Sequence, residues 1–166
     1  MSHALTIAVI AMLLSACGPQ PRVSALRDLL LGVRVGDRRT AVIQKLEAHE
    51  GWAIVGNPEG KFIRAAHPHR LQRLTIMFRN DTVADVSRQW RHAGPDMQPS
   101  KVLADSIKRV LVEELGPTSE RGIALTWHKR SPGADRIVAF GHMCTALVPS
   151  IEDTCSIAVA EIGVRE

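Results

Sequence analysis

The sequence contains no tyrosine, and only 4% of its residues are aromatic, three Trp and three Phe. A hydrophobic core must therefore come mostly from Leu, Ile, Val and Ala. There is no Gly-rich phosphate loop and no His-Glu-x-x-His pattern, so phosphate-cradling and zinc-protease chemistry lack their usual anchors. There is also no Gly-x-Ser-x-Gly elbow and no Ser-x-x-Lys pattern, which leaves acyl-enzyme chemistry without a nucleophile in context. The reading is therefore of a non-enzyme: no catalytic residue, no metal and no cofactor is expected. No apolar run reaches the ~20 residues that a bilayer-crossing helix needs. With 45% apolar and 23% charged residues, disorder is not the default either.

The longest apolar stretch runs from Ala4 to Ala16, and residues 1–16 carry no Lys, Arg, Asp or Glu. A run of roughly 13 residues suits the apolar segment of a secretory signal and is too short to span a membrane. It ends in Leu14-Ser15-Ala16-Cys17, which resembles the lipobox of bacterial lipoproteins. That resemblance implies diacylation of the Cys17 thiol and cleavage before it. Residues 1–16 are thus read as a signal peptide. Residues 17–22, with Pro19 and Pro21, are read as an extended tether between lipid and fold. The net charge of +4 then belongs to the remaining chain. A basic surface near a membrane favours anionic head groups, and a secreted chain with scattered charges is not expected to bind nucleic acid.

Cys144 and Cys155 remain once Cys17 is assigned to lipid. An even pair in an oxidising compartment predicts a disulfide between them. Two cysteines eleven positions apart supply too few ligands for a metal site.

The remaining chain of about 150 residues suffices for one domain or two small fused units. Apolar positions 23, 26, 29 and 30 predict a short helix over 23–31. Asp37 as cap and Gly51 as stop predict a second helix over 38–50, with Val42, Leu46 and His49 on one face. After Gly51 the period becomes two, predicting strands at 52–55, 61–66, 71–79 and 83–90. For the third and fourth of these, a two-residue loop at Asn80-Asp81 would place Ile76 opposite Asp85. A three-residue loop keeps Ile76 opposite Val86 and Phe78 opposite Ala84, and is therefore the one expected.

Gly94, Pro95 and Pro99 mark a joint, and Ser100 is expected to cap a helix through Leu115 with Leu103, Ile107, Val110, Leu111 and Leu115 as its apolar face. Gly116-Pro117 stops it. Strands follow at 123–128, 136–144 and 155–162. If Cys144 lies opposite Cys155, His142 meets Ile157 and Phe140 meets Val159, a single apolar face. The expected class is α+β: two helix-plus-antiparallel-sheet units in tandem, 23–92 and 93–166.

Few residues suggest a site. His67-Pro68-His69 reads as a solvated turn, and His128 has no adjacent carboxylate to orient it. Arg88, Trp90 and Arg91 form a basic and aromatic strand end of the kind that anchors interfaces, although Trp90 equally suits closure of the core.

This layout behind a lipobox resembles the SmpA/OmlA-type small outer-membrane lipoproteins and their β-lactamase-inhibitor-like α/β fold. Gly36, Val42 and Leu46 match the helix of a first unit; Leu115-Gly116-Pro117 and Trp127 match the helix end and strand of a second. The resemblance implies a non-catalytic envelope protein, lipid-anchored on the periplasmic face of the outer membrane, that binds a protein partner during outer-membrane assembly or maintenance. A small periplasmic hydrolase or a ligand-binding protein with a pocket between the sheets is the alternative.

Overall fold

A computed structural model describes residues 24–93, 98–121, 124–130, 135–145 and 154–164. The predicted signal, the tether and Cys17 lie outside them. In chain order the elements are α1 (Ala25–Leu29), α2 (Arg39–Glu47), β1 (Ala53–Val55), β2 (Phe62–His67), a 3-10 turn (Pro68–Arg70), β3 (Gln72–Arg79), β4 (Thr82–Ala93), α3 (Gln98–Leu115), β5 (Ser119–Arg121), β6 (Ala124–Lys129), β7 (Arg136–Thr145) and β8 (Thr154–Gly163). None of these helices is long and apolar enough to cross a membrane.

The strands form one antiparallel sheet in the order β1-β2-β3-β4-β8-β7-β6-β5. The chain meanders inward to β4, crosses to the far edge through α3, and meanders back until β8 pairs with β4. The fold class is α+β. Alternation puts Ile63, Leu74, Ile76, Val86, Trp90, Val138, Phe140, Ile157 and Val159 on one face, all buried. Leu26, Leu30, Val42, Leu46, Ala104, Ile107 and Leu111 of the helices and their ends pack with them in one cluster. Each fully buried aliphatic side chain stabilises by about 1.5–3 kcal/mol relative to exposure.

The sulfur-based register holds: Cys144 lies opposite Cys155, His142 opposite Ile157 and Phe140 opposite Val159. The hairpin loop does not. Asn80 and Asp81 alone make the turn, both with positive φ (49° and 62°), so that Arg79 pairs with Thr82 and Phe78 with Val83. A register shift then leaves Ala84 unpaired and restores Ile76 opposite Val86. The chain keeps Asp85 off the apolar face with a β-bulge rather than a longer loop.

Three local expectations are corrected. Asp37 does not cap α2; its Oδ2 accepts from the Arg34 backbone N–H (2.8 Å) and Lys45 Nζ (2.6 Å). Arg38 is the N-cap, and the Arg39 N–H reaches Asp81 O instead (3.0 Å). Ser100 does not cap α3, which starts earlier at Gln98, with Pro99 in the first turn where a missing N–H costs nothing. The buried stripe of α3 is Ser100, Ala104, Ile107 and Leu111, so Leu103 and Val110 are turned outward, 39% and 37% exposed. Strand β5 had no sequence signal.

Candidate functional site

The residues singled out at the end of β4 divide between the two sides of the sheet. Arg88 and Trp90 share the helix-covered face with Val86, whereas Arg91 is exposed at the strand's end. Trp90 is 8% exposed and closes the core. The Arg88 guanidinium lies over the Trp90 ring (4.7 Å to its centroid) and the Trp52 ring (5.2 Å), a cation–π stack. It donates to Leu29 O at the end of α1 (3.0 Å) and to Gln72 Oε1, and among the described residues its buried Nε has no partner. Both acceptors are neutral. Burial, with the like charge of Arg70, lowers the Arg88 pKa to about 10.

The His67-Pro68-His69 stretch is not a fully solvated turn. His67 is buried, with its ring edge-on to Trp52 (5.9 Å between centroids), and a side chain on Gly51 would strike its Nε2. His69 stays exposed, with its ring 6.4 Å from that of His67. His49 is exposed, and its Nε2 lies 3.2 Å from Leu31 O.

At the same end of the central ladder, where His92 pairs with Cys155, Cys144 and Cys155 are bonded, with Cα atoms 4.1 Å apart. His142 shares their face, and its Nε2 lies 3.1 Å from Ser100 Oγ and 3.4 Å from Cys144 Sγ. These contacts tie the first turn of α3 to β7. The bonded sulfurs and His142 are the group of possible metal donors among the described residues; while the disulfide stands, no thiolate is available to ligate.

The second face of the sheet is of a different kind. Its centre carries Ser87, Gln89, Ala139, Gly141, Ala158 and Ala160, paired across β4, β8 and β7. These are small or neutral, and Gln89 Nε2 donates to Ser156 Oγ (2.7 Å). Toward the margins of this face stand Phe62, Met143 and Ile162, 50%, 55% and 38% exposed, together with the exposed Arg64, Arg73 and Arg91. Among the described residues no helix lies against this face.

No family model, curated protein or solved structure matches the chain.

The arrangement itself must therefore carry the functional reading. Sequence reasoning found Arg88 and Trp90 but missed that the guanidinium sits between two indoles. The signal was available: Arg88 falls in phase with Val86 and Trp90. Equally missed was Glu161, in phase with Cys155, Ile157 and Val159 and only 3% exposed. Its Oε1 accepts from Arg136 Nη1 (3.0 Å) and its Oε2 from the Val35 N–H (3.1 Å).

Proposed function

We propose that this chain is a lipid-anchored bacterial envelope protein that works as a protein-interaction or structural module rather than as an enzyme. The observation that carries this reading is the asymmetry of the sheet: one face is covered by helices, and the other, among the described residues, has no helix against it, is neutral at its centre, and carries exposed Phe62, Met143 and Ile162 alongside exposed Arg64, Arg73 and Arg91 toward its margins. Such a face loses little on desolvation and offers apolar anchors at its margin. Acyl chains on Cys17 would hold it near the membrane, where tethering raises the effective concentration for a membrane-bound partner into the millimolar range for a short flexible linker.

Two related helix-plus-meander units, α1–β4 and α3–β8, joined along β4 and β8, form the architecture we assign. With the SmpA/OmlA resemblance this makes outer-membrane assembly or maintenance the process we propose, on the periplasmic side.

Mass spectrometry of the membrane-extracted protein should find a chain beginning at an S-diacylated Cys17. Cys17→Ser should move it to the soluble fraction and reduce recovery of cross-linked partners, and Phe62→Glu with Met143→Glu should reduce that recovery while the anchor is kept. An unmodified, uncleaved amino terminus, or equal partner yield from the soluble variant, would overturn the reading.

A further inference from the structure

A groove runs along the covered side of β4, beneath α1 and α3. One compartment, of about 380 Å³, is walled by Leu29, Trp90, Leu103, Ile107 and Val110, with Arg88 in its lining. A second, of about 210 Å³, shares Trp90 and Leu103 with the first and adds Arg70, Gln72 and Arg91. Leu103 and Val110 are large apolar side chains left over a third exposed at this groove, a cost that a covering apolar group would remove.

The charge is one-sided. Arg70, Arg88 and Arg91 line the two compartments, and the acidic residue among their walls is Asp28, exposed in the first. Among the described residues Arg88 meets only neutral acceptors and leaves its Nε unpartnered. A buried guanidinium normally takes a carboxylate or phosphate as its partner.

We infer that this groove binds a single-chain amphiphile with an anionic head, a long-chain carboxylate. The alkyl chain lies between α1 and α3 against Leu29, Leu103, Ile107 and Val110. Asp28 repels a negative head from that end, so the head lies at the Arg70 end with Arg88 beneath it. This goes beyond the interaction module proposed above, because the groove and the uncovered face lie on opposite sides of the sheet and each can fail without the other.

The test is titration of the full chain with dodecanoate below its micellar concentration. It is followed by tryptophan fluorescence, since Trp90 lines both compartments, and by calorimetry for stoichiometry. Dodecanoate should bind one to one and quench. Chain length contributes roughly fourfold per methylene, so butyrate should bind at least about a hundredfold more weakly. Dodecanol, lacking the charge, should bind about tenfold more weakly.

Because Arg88 also holds the end of α1, the variants are taken from its exposed neighbours. Arg70→Gln should weaken dodecanoate about tenfold while leaving dodecanol unchanged. Leu103→Glu should abolish binding of both, with circular dichroism unaltered. Several dodecanoates taken up without saturation, equal affinity for dodecanol, or unchanged binding by Leu103→Glu would overturn the inference.

Discussion

Three charged side chains, Arg39 and Glu161 buried and Arg88 half-buried, do at the residue scale what caps and apolar contacts leave undone. Arg39 is 9% exposed. Its Nε donates to Asp81 Oδ1 (2.6 Å), its Nη1 to Pro58 O (2.7 Å) and Gly60 O (2.8 Å), and its guanidinium lies 4.1 Å from the Phe78 ring centroid. One side chain thereby fixes the start of α2 and two turns. Arg88 does the same for the end of α1, at an electrostatic cost. A pKa lowered by burial to about 10 in the fold means the charged form is less favoured when folded, so its contribution is least favourable at neutral pH and improves only as pH rises past 10.

Glu161 is the third, and the most exacting. Replacing it with Ala would leave Arg136 without its anion and the Val35 N–H without an acceptor. Breaking a buried pair from one side costs about 3–5 kcal/mol, a third or more of the stability of a typical domain. The urea midpoint should fall accordingly, and the double variant Glu161→Leu with Arg136→Met should recover most of the loss. A midpoint unchanged in Glu161→Ala would mean that this pair adds nothing.

At the scale of elements, what was legible in the sequence follows from how local each determinant is. Alternation is local, so β1, β2, β3, β4, β6, β7 and β8 were found, and the cysteine register placed Phe140 and His142 correctly. The helix stop at Gly116 (φ 86°) is local too, and the freed Gly116 O accepts from Trp127 Nε1 (2.9 Å). The Ala84 bulge was not legible, because bulge and longer loop both keep Ile76 opposite Val86. Nor was the face of α3, since Leu103 and Val110 suit a buried stripe as well as a groove wall. The choice depends on where α1 lies, which no short window reveals.

For the candidate site, Arg88 and Trp90 were readable as unusual, but their partners Trp52, Gln72 and Leu29 come from three other segments. The disulfide belongs to this scale as well. In the chain-entropy model, closing a loop of this size is worth on the order of 3 kcal/mol before strain. Reduction, or Cys144→Ala with Cys155→Ala, should lower the thermal midpoint while far-ultraviolet circular dichroism below it stays unchanged, because ten residue pairs join β7 to β8 around the bond. Loss of the β signal on reduction at room temperature would contradict that.

On the scale of the whole molecule the decisive feature is that the last strand in sequence occupies the middle of the sheet. β8 pairs with β4 along nine residues and with β7 along ten, while the outer edges are the three-residue strands β1 and β5. Short edges discourage pairing with other chains; the long edges face each other inside. A chain ended after residue 145 should therefore lose more than one strand's worth of packing. It exposes the flanks of both β4 and β7, and should show no cooperative melt and should aggregate on size-exclusion chromatography. A monomeric, cooperatively unfolding truncation would mean that the first half stands alone.

The same placement imposes a waiting time. Some sixty residues separate the end of β4 from the start of β8, and at ~5–20 residues per second of synthesis the unpaired flank of β4 is presented for roughly three to twelve seconds before its mate exists. A newborn copy carries that open flank until its own tail arrives to zip the gap.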